Sequence, residues 1–255
     1  LWFSDETNAT ATYGHISDWN TSAVTNMVAA FLGRTAFNED ISKWDLSNVS
    51  STFKMFEQAH SFDQNISGWD TSALVDMGQM FQGAGAFNQD ISSWNTTSVQ
   101  NMRNAFLMAT SFNKDIDNWD TSSVVNMTLM FRDAISFNRN ISDWNVTSVI
   151  HMGNMFDNTN TLSNSNKGEI HKSFSANPNW SYDWRQYVVI DNTNFQTVVN
   201  LWFDNQAEAN ATYGHISDWN TSAVTNMANS FENRSAFNEN ISNWDTSSVA
   251  TMSQM

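Results

Sequence analysis

Cysteine is absent from this 255-residue chain and proline occurs once. Without cysteine no disulfide can form, so the thiol content does not report on the redox compartment. Only 11 Lys and Arg residues stand against 26 Asp and Glu residues, which gives a formal net charge of −15. A chain this acidic is not expected to bind nucleic acid or an anionic membrane surface, because both attract basic proteins. No apolar run approaches the roughly 18 residues of a transmembrane helix, so no membrane span is predicted.

What the chain does have is a 25-residue repeat, which runs along residues 13–161 and resumes along 213–255. Self-similarity at a period of about 20 to 50 residues is typical of solenoids, in which successive coils bury their apolar positions against one another. The sequence therefore predicts a solenoid of about six coils at 13–161 and the start of a second one at 213–255. The clearest column is formed by Trp19, Trp44, Trp69, Trp94, Trp119 and Trp144, continued by Trp219 and Trp244.

A second period of 200 residues lies over the first. Residues 1–55 and 201–255 align without a gap, with 34 of 55 positions identical. We therefore expect 200-residue modules in tandem, and we interpret this chain as a segment of a longer array. Open solenoid ends expose apolar surface, so atypical capping units are expected between modules. We assign 162–190 to a C-terminal cap, 191–212 to the N-terminal cap helix of the next module, and 1–12 to the end of the equivalent helix.

Within one coil, the pattern favours a short strand and a short helix. Val99, Met102 and Phe106 have the spacing i, i+3, i+7 of one helical face. Upstream, Asp90-Ile91-Ser92 has the character of a very short strand with isoleucine pointing inward. The predicted fold class is thus an α/β solenoid, with each coil contributing a short parallel strand and a short helix, and with helical caps between modules.

The Asn and Asp columns and the tryptophan column each allow two interpretations. Repeated Asn and Asp residues suit turns, whereas calcium held by a carboxylate ladder is the alternative. Turn chemistry is favoured because asparagine dilutes the charge and cations lie nearby, so no metal and no cofactor is predicted. The tryptophan column is expected in the core rather than as an exposed platform for sugars. The Asn and Asp columns are Asn38, Asp63, Asn88, Asn113 and Asn138, and Asp40, Asn65, Asp90, Asp115 and Asn140.

Thirteen N-x-S/T sequons are present. Several follow from the repeat motif itself, so they are compatible with a secreted glycoprotein without requiring one. The candidate N-glycosylation sites are Asn8, Asn48, Asn95, Asn145, Asn179, Asn210 and Asn233.

The core string F-N-x-D-I-S-x-W-D-T-S-S-V-x-N-M-x-x-M-F resembles the repeat of BspA-like leucine-rich repeat surface proteins, a 25-residue repeat also found in mycoplasma lipoproteins and algal surface proteins. The resemblance covers residues 13–161 and 213–255. It implies a leucine-rich-repeat-like fold, an extracellular or cell-surface location, and an adhesive or structural role. Thr52 stands where the repeat usually has methionine, and Leu46 where it has threonine.

No nucleophile–base pair, phosphate loop or metal triad is singled out, so the chain is not expected to be an enzyme. The favoured function is an extracellular structural protein whose modules join end to end into a fibre or coat, with further copies of the module as partners. The alternative is a cell-surface adhesin that binds a glycan or protein through the solenoid face. An ice-binding threonine ladder ranks third, because Leu46 and Val146 interrupt that column. The predicted junction packs Leu201, Trp202 and Phe203 onto Trp180 and Trp184, so that modules form a rod.

Overall fold

A computed structural model describes residues 2–255. The chain divides into two compact units, Leu1–Ser163 and Asn164–Met255. Regular helices lie outside the repeated coils. The α-helices are α1 (Glu6–Tyr13), α2 (Asn164–Phe174), α3 (Phe195–Asp204) and α4 (Gln206–Tyr213), and short 3-10 helices span Ile16–Asp18, Arg185–Tyr187 and Ile216–Asp218.

The predicted α/β solenoid of strand-plus-helix coils, with its leucine-rich-repeat-like fold, is wrong. Across residues 2–255 no extended β-strand is formed, and the sheet-like pairing consists of isolated parallel bridges such as Asn101 with Asn126. The predicted strand at Asp90-Ile91-Ser92 lies outside these bridges. The predicted helix around Met102 and Phe106 is a run of turns.

Alternating hydrogen bonds explain why the coils fold as turns. The backbone N–H groups of Met102, Asn104 and Phe106 donate to carbonyls of the next coil, 24 residues further on, at 2.9 Å each. The intervening N–H groups close tight turns, as when Ala105 donates to the Met102 carbonyl at 3.1 Å. An α-helix needs each N–H to reach the carbonyl four residues back. Every second amide is instead committed to the neighbouring coil, so a helix cannot form.

Left-handed backbone positions also exclude a helix here. Two columns of residues have φ between about 56° and 70°, a region that costs a residue with a Cβ roughly 1–2 kcal/mol. The second of these columns carries glycine in two coils, at Gly33 and Gly83, and a bulky residue in others, as at Met108. The first column comprises Ala29, Lys54, Gln79, Asn104, Leu129 and Asn154, and continues at Asn229 and Gln254.

The interpretation of the tryptophan column as core is confirmed. Trp94 is 4% exposed, and its ring stacks between those of Trp69 and Trp119 at centroid distances of 6.2 and 6.4 Å. Its indole N–H donates to the backbone carbonyl of Ile66 in the preceding coil at 3.1 Å. The same bond recurs along the column, so each tryptophan both fills the core and ties two coils together. The rings therefore offer no exposed platform for sugars.

The second Asn and Asp column forms turns, as the favoured interpretation predicted, whereas the first column joins successive coils. The side-chain oxygen of Asn88 accepts the backbone N–H of Asn113 at 3.0 Å, and Asp63 does the same for Asn88 at 2.8 Å. In the second column, Asp40 accepts the backbone N–H of Ser42, and hydrogen bonds from that serine's hydroxyl and backbone lower the pKa of the Asp40 carboxyl. These oxygens stabilise bends in the chain by accepting amides that would otherwise lack partners.

Candidate functional site

The second unit contains a joint between the segment 164–194 and the start of the following coils. The joint is built on α2, whose Gly168 faces the Arg185–Tyr187 turn. A Cβ at position 168 would lie 2.1 Å from the carbonyl oxygen of Tyr187, a distance that backbone atoms cannot accommodate. Glycine therefore lets α2 and this turn pack in direct contact. Aromatic rings extend the packing, because Trp180 lies edge-on to Phe174 at 5.3 Å.

His171 lies at the centre of the joint and is 3% exposed. Its Nδ1 accepts the indole N–H of Trp180 at 2.9 Å, and its Nε2 lies 3.1 Å from the backbone carbonyl of Ala211 in α4. A carbonyl only accepts, so Nε2 carries the proton and the imidazole is neutral. Burial lowers the pKa of His171 below its ordinary value, which favours the same neutral form. One buried ring thus links α2, the aromatic cluster and α4.

Arg185 supplies the polar edge of this joint. Its guanidinium makes a bidentate pair with Asp183 at 2.7 and 2.6 Å, and these hydrogen bonds lower the pKa of the Asp183 carboxyl to about 2. The same side chain covers Gly214, since a Cβ there would lie 3.6 Å from a guanidinium nitrogen. Nearby, the hydroxyls of Ser175 and Thr212 are 3.0 Å apart. Polar groups on both sides of the joint are therefore paired.

Asn192 closes the edge of the second run of coils. Its side-chain oxygen accepts the backbone N–H groups of Thr225 and Asn226 at 2.8 and 3.1 Å, and its amide nitrogen donates to the Thr225 hydroxyl at 2.6 Å. Asp191 adds a parallel bridge to Ala223. In later coils these amides are satisfied by the preceding coil, so Asn192 replaces that coil at the open end. Asn192 precedes α3, which begins at Phe195 after Asn194.

The expected junction residues fall into two groups. Trp180 and Trp184 contact each other edge-on at 5.3 Å within the cap. Trp202 lies edge-on to Trp219 at 5.9 Å, and Phe203 packs on Phe231 and Phe237 in the following coils, with half-buried Leu201 beside them. The cap is hydrogen-bonded to α4 through His171 and Ser175. Ile190 lies in one apolar cluster with the buried residues of α3, including Trp202, and with the first coils.

Sequence reasoning missed His171, Arg185 and the role of Asn192 in accepting the backbone amides of the first coil of the second run. The available indication was that His171 directly follows Ile170 on the helix that also carries Phe174, so it lies beside the apolar face. Its two hydrogen-bond partners are 9 and 40 residues away. No local spacing marks such a contact.

The proposed glycosylation sites lie mainly on the surface. Asn210, in α4, is half-buried, whereas the other six candidates are exposed. At Asn95 and Asn145 the side-chain oxygen accepts the hydroxyl of the threonine two residues on, at 2.6 Å in both cases. The amide nitrogen that would carry a glycan is not used in these bonds.

Across residues 2–255, no cluster of three or more His, Cys, Asp or Glu side chains is arranged to hold a metal ion. Over the same range, no helix has the length and apolar character required to cross a bilayer.

Comparison with known proteins gives one family. The family described as "Mycoplasma protein of unknown function, DUF285" matches residues 3–109, 86–179 and 197–255, so the match includes both runs of coils, all of α2 and most of α3. No curated protein and no solved structure matches the chain.

Proposed function

The chain belongs to the DUF285 family, and we propose that it is a non-enzymatic extracellular structural protein whose 200-residue modules join end to end into a fibre or surface coat. The observation that carries the proposal is the joint in the second unit. There the segment 164–194 is bound to the start of the next coils through buried His171 and through Asn192. A segment that packs firmly onto the coils that follow it suits a load-bearing polymer, whereas independently acting binding domains are usually joined by flexible linkers.

The composition of the joint supports the same function. The chain's only proline, Pro178, lies within the cap, and the one glycine of α2, Gly168, is used for close packing rather than for flexibility. The resemblance of the 25-residue repeat to that of BspA-like surface proteins, together with the exposed sequons, supports a cell-surface or extracellular location as part of the proposal. The partners proposed are further copies of the module, in the same or a neighbouring chain.

The test is to locate the native protein and image it. Immunogold labelling with antibodies against residues 164–194 should decorate extracellular filaments or a coat, with labels at a regular axial spacing of one module. Pre-immune serum on the same preparation is the control. Dispersed labelling at cell-contact sites, with no axial repeat, would favour the adhesin alternative, and labelling confined to the cell interior would contradict the proposal.

A further inference from the structure

One stretch of sequence occurs twice in this chain, in two different environments. Residues 11–27 and 211–227 are identical, and each follows an eight-residue helix, α1 or α4. In the second unit Thr212 is 6% exposed and Gly214 is buried. Their equivalents Thr12 and Gly14 are both exposed in the first unit. Because the local sequence is the same, the difference arises from what covers it.

Named contacts account for the protection in the second unit. Ser175 pairs with Thr212, Arg185 lies over Gly214, and Asn192 accepts the amides of Thr225 and Asn226. All three partners belong to the segment 164–194. In the first unit, a Cβ built on Gly14 meets no described atom within 4 Å.

The uncovered face of the first unit also has an apolar hollow. A cavity of about 520 Å³ is lined by Trp2, Ala9, Tyr13, Trp19 and Val24 among others. Tyr13 is 64% exposed there. An open hollow lined by two tryptophans and a tyrosine is apolar surface that a partner would cover.

In the second unit the matching residues Trp219 and Val224 are buried. They share one apolar cluster with Ile190, at the end of the cap segment. The hollow of the first unit is thus lined by the same residue types that pack with Ile190 in the second unit.

We propose that the face formed by α1 and residues 12–26 is the docking surface for the 164–194 segment of a second copy of the module. Docking would place the second copy's Ile190 in the hollow, its Arg185 over Gly14, and its Asn192 on the amides of Thr25 and Asn26. The inference rests on the proposed function only in taking modules to occur in tandem. It adds which surface of a module receives its neighbour and which residues of the neighbour it receives.

The absence of cysteine from the chain makes a thiol-accessibility test direct. In the 255-residue chain, a Thr12→Cys variant should react rapidly with a maleimide and a Thr212→Cys variant slowly. Residues 164–200 are then placed directly before Leu1, in the register by which Leu201 follows residue 200. This extension should slow labelling of Thr12→Cys by about tenfold or more, toward the rate of Thr212→Cys, because the thiol would react only when the docked segment opens.

Two controls separate the cap segment from the rest of the extension. A shorter extension with residues 195–200 alone completes the α3 equivalent and should leave Thr12→Cys reactive. The full extension carrying Gly168→Ala in the added copy cannot pack α2 on its turn and should also leave it reactive.

The inference is overturned if Thr12→Cys in the full extension keeps its original rate while Thr212→Cys stays protected, or if the shorter extension protects it equally. Protection without filaments in the native material would refute the fibre and leave the docking surface intact. Filaments without protection of Thr12→Cys would support the fibre and overturn the docking surface.

Discussion

Truncating Trp94 to alanine tests whether the stacked tryptophan column holds the coils together. The Trp94 ring lies between Trp69 and Trp119, within 6.2 Å of the Phe81 ring centroid, and its N–H is bonded to Ile66. Neighbours on both sides are anchored by their own bonds to the backbone. They have little freedom to fill the space that the alanine would leave.

The size of the effect follows from burial. A tryptophan buries about 150–250 Å², which at about 25 cal/mol per Å² corresponds to about 4–6 kcal/mol of transfer free energy. Measured truncations of buried aromatic residues to alanine cost about 3–5 kcal/mol of unfolding free energy. The lost hydrogen bond adds little, because the Ile66 carbonyl still accepts the backbone N–H of Trp69 at 3.3 Å. We therefore expect a loss of about 3–5 kcal/mol for Trp94→Ala.

The assay is equilibrium urea unfolding followed by far-UV circular dichroism. Trp19→Ala is the matched control, because Trp19 is half-buried and stacks on a tryptophan of the column, Trp44, from one side only. Its cost should be about 1–2 kcal/mol. A loss below about 1 kcal/mol for Trp94→Ala, or one no larger than that of Trp19→Ala, would refute the column as the main source of coil stability.

Three further predictions concern the turns, the joint and metal. Gly33→Ala should lower the free energy of unfolding by about 1 kcal/mol through the left-handed backbone alone, because no described atom lies within 4 Å of the added Cβ. Met108→Gly, at an equivalent left-handed position, should leave that free energy unchanged or raise it. Both effects are measured from urea unfolding midpoints. Because burial lowers the pKa of His171, its contribution to stability is present above pH 6.5 and is lost as the pH falls below it. The urea midpoint should therefore fall more with decreasing pH in the parent chain than in a His171→Gln variant, and an equal pH dependence of the two midpoints would contradict this. EDTA should leave the Tm unchanged, and a fall of about ten degrees reversed by calcium would show that the Asn and Asp columns bind metal.

The secondary structure of the coils could not be predicted from the repeat. The spacing of Val99, Met102 and Phe106 fits a helix face, but it fits equally a run of turns in which apolar residues recur every three or four positions. What selects the turns is that alternate amides donate to carbonyls 24 residues away, in the next coil. The short-strand prediction failed for a related reason, since pairing between coils is restricted to single residues such as Asn101.

The sequence by itself determined the 25-residue coil, the 200-residue period of the sequence, the buried tryptophan column and the hydrogen-bonding Asn and Asp columns. Each of these depends on a residue type recurring at a fixed interval, and stacking makes such an interval a spatial contact. Only the tertiary structure decided the hydrogen bonding of the coils and the joint at His171 and Asn192. The identical stretches 11–27 and 211–227 show the reason most directly. Thr12 and Gly14 are exposed, whereas Thr212 and Gly214 are buried, because the partners that bury the second pair come from a distant part of the sequence.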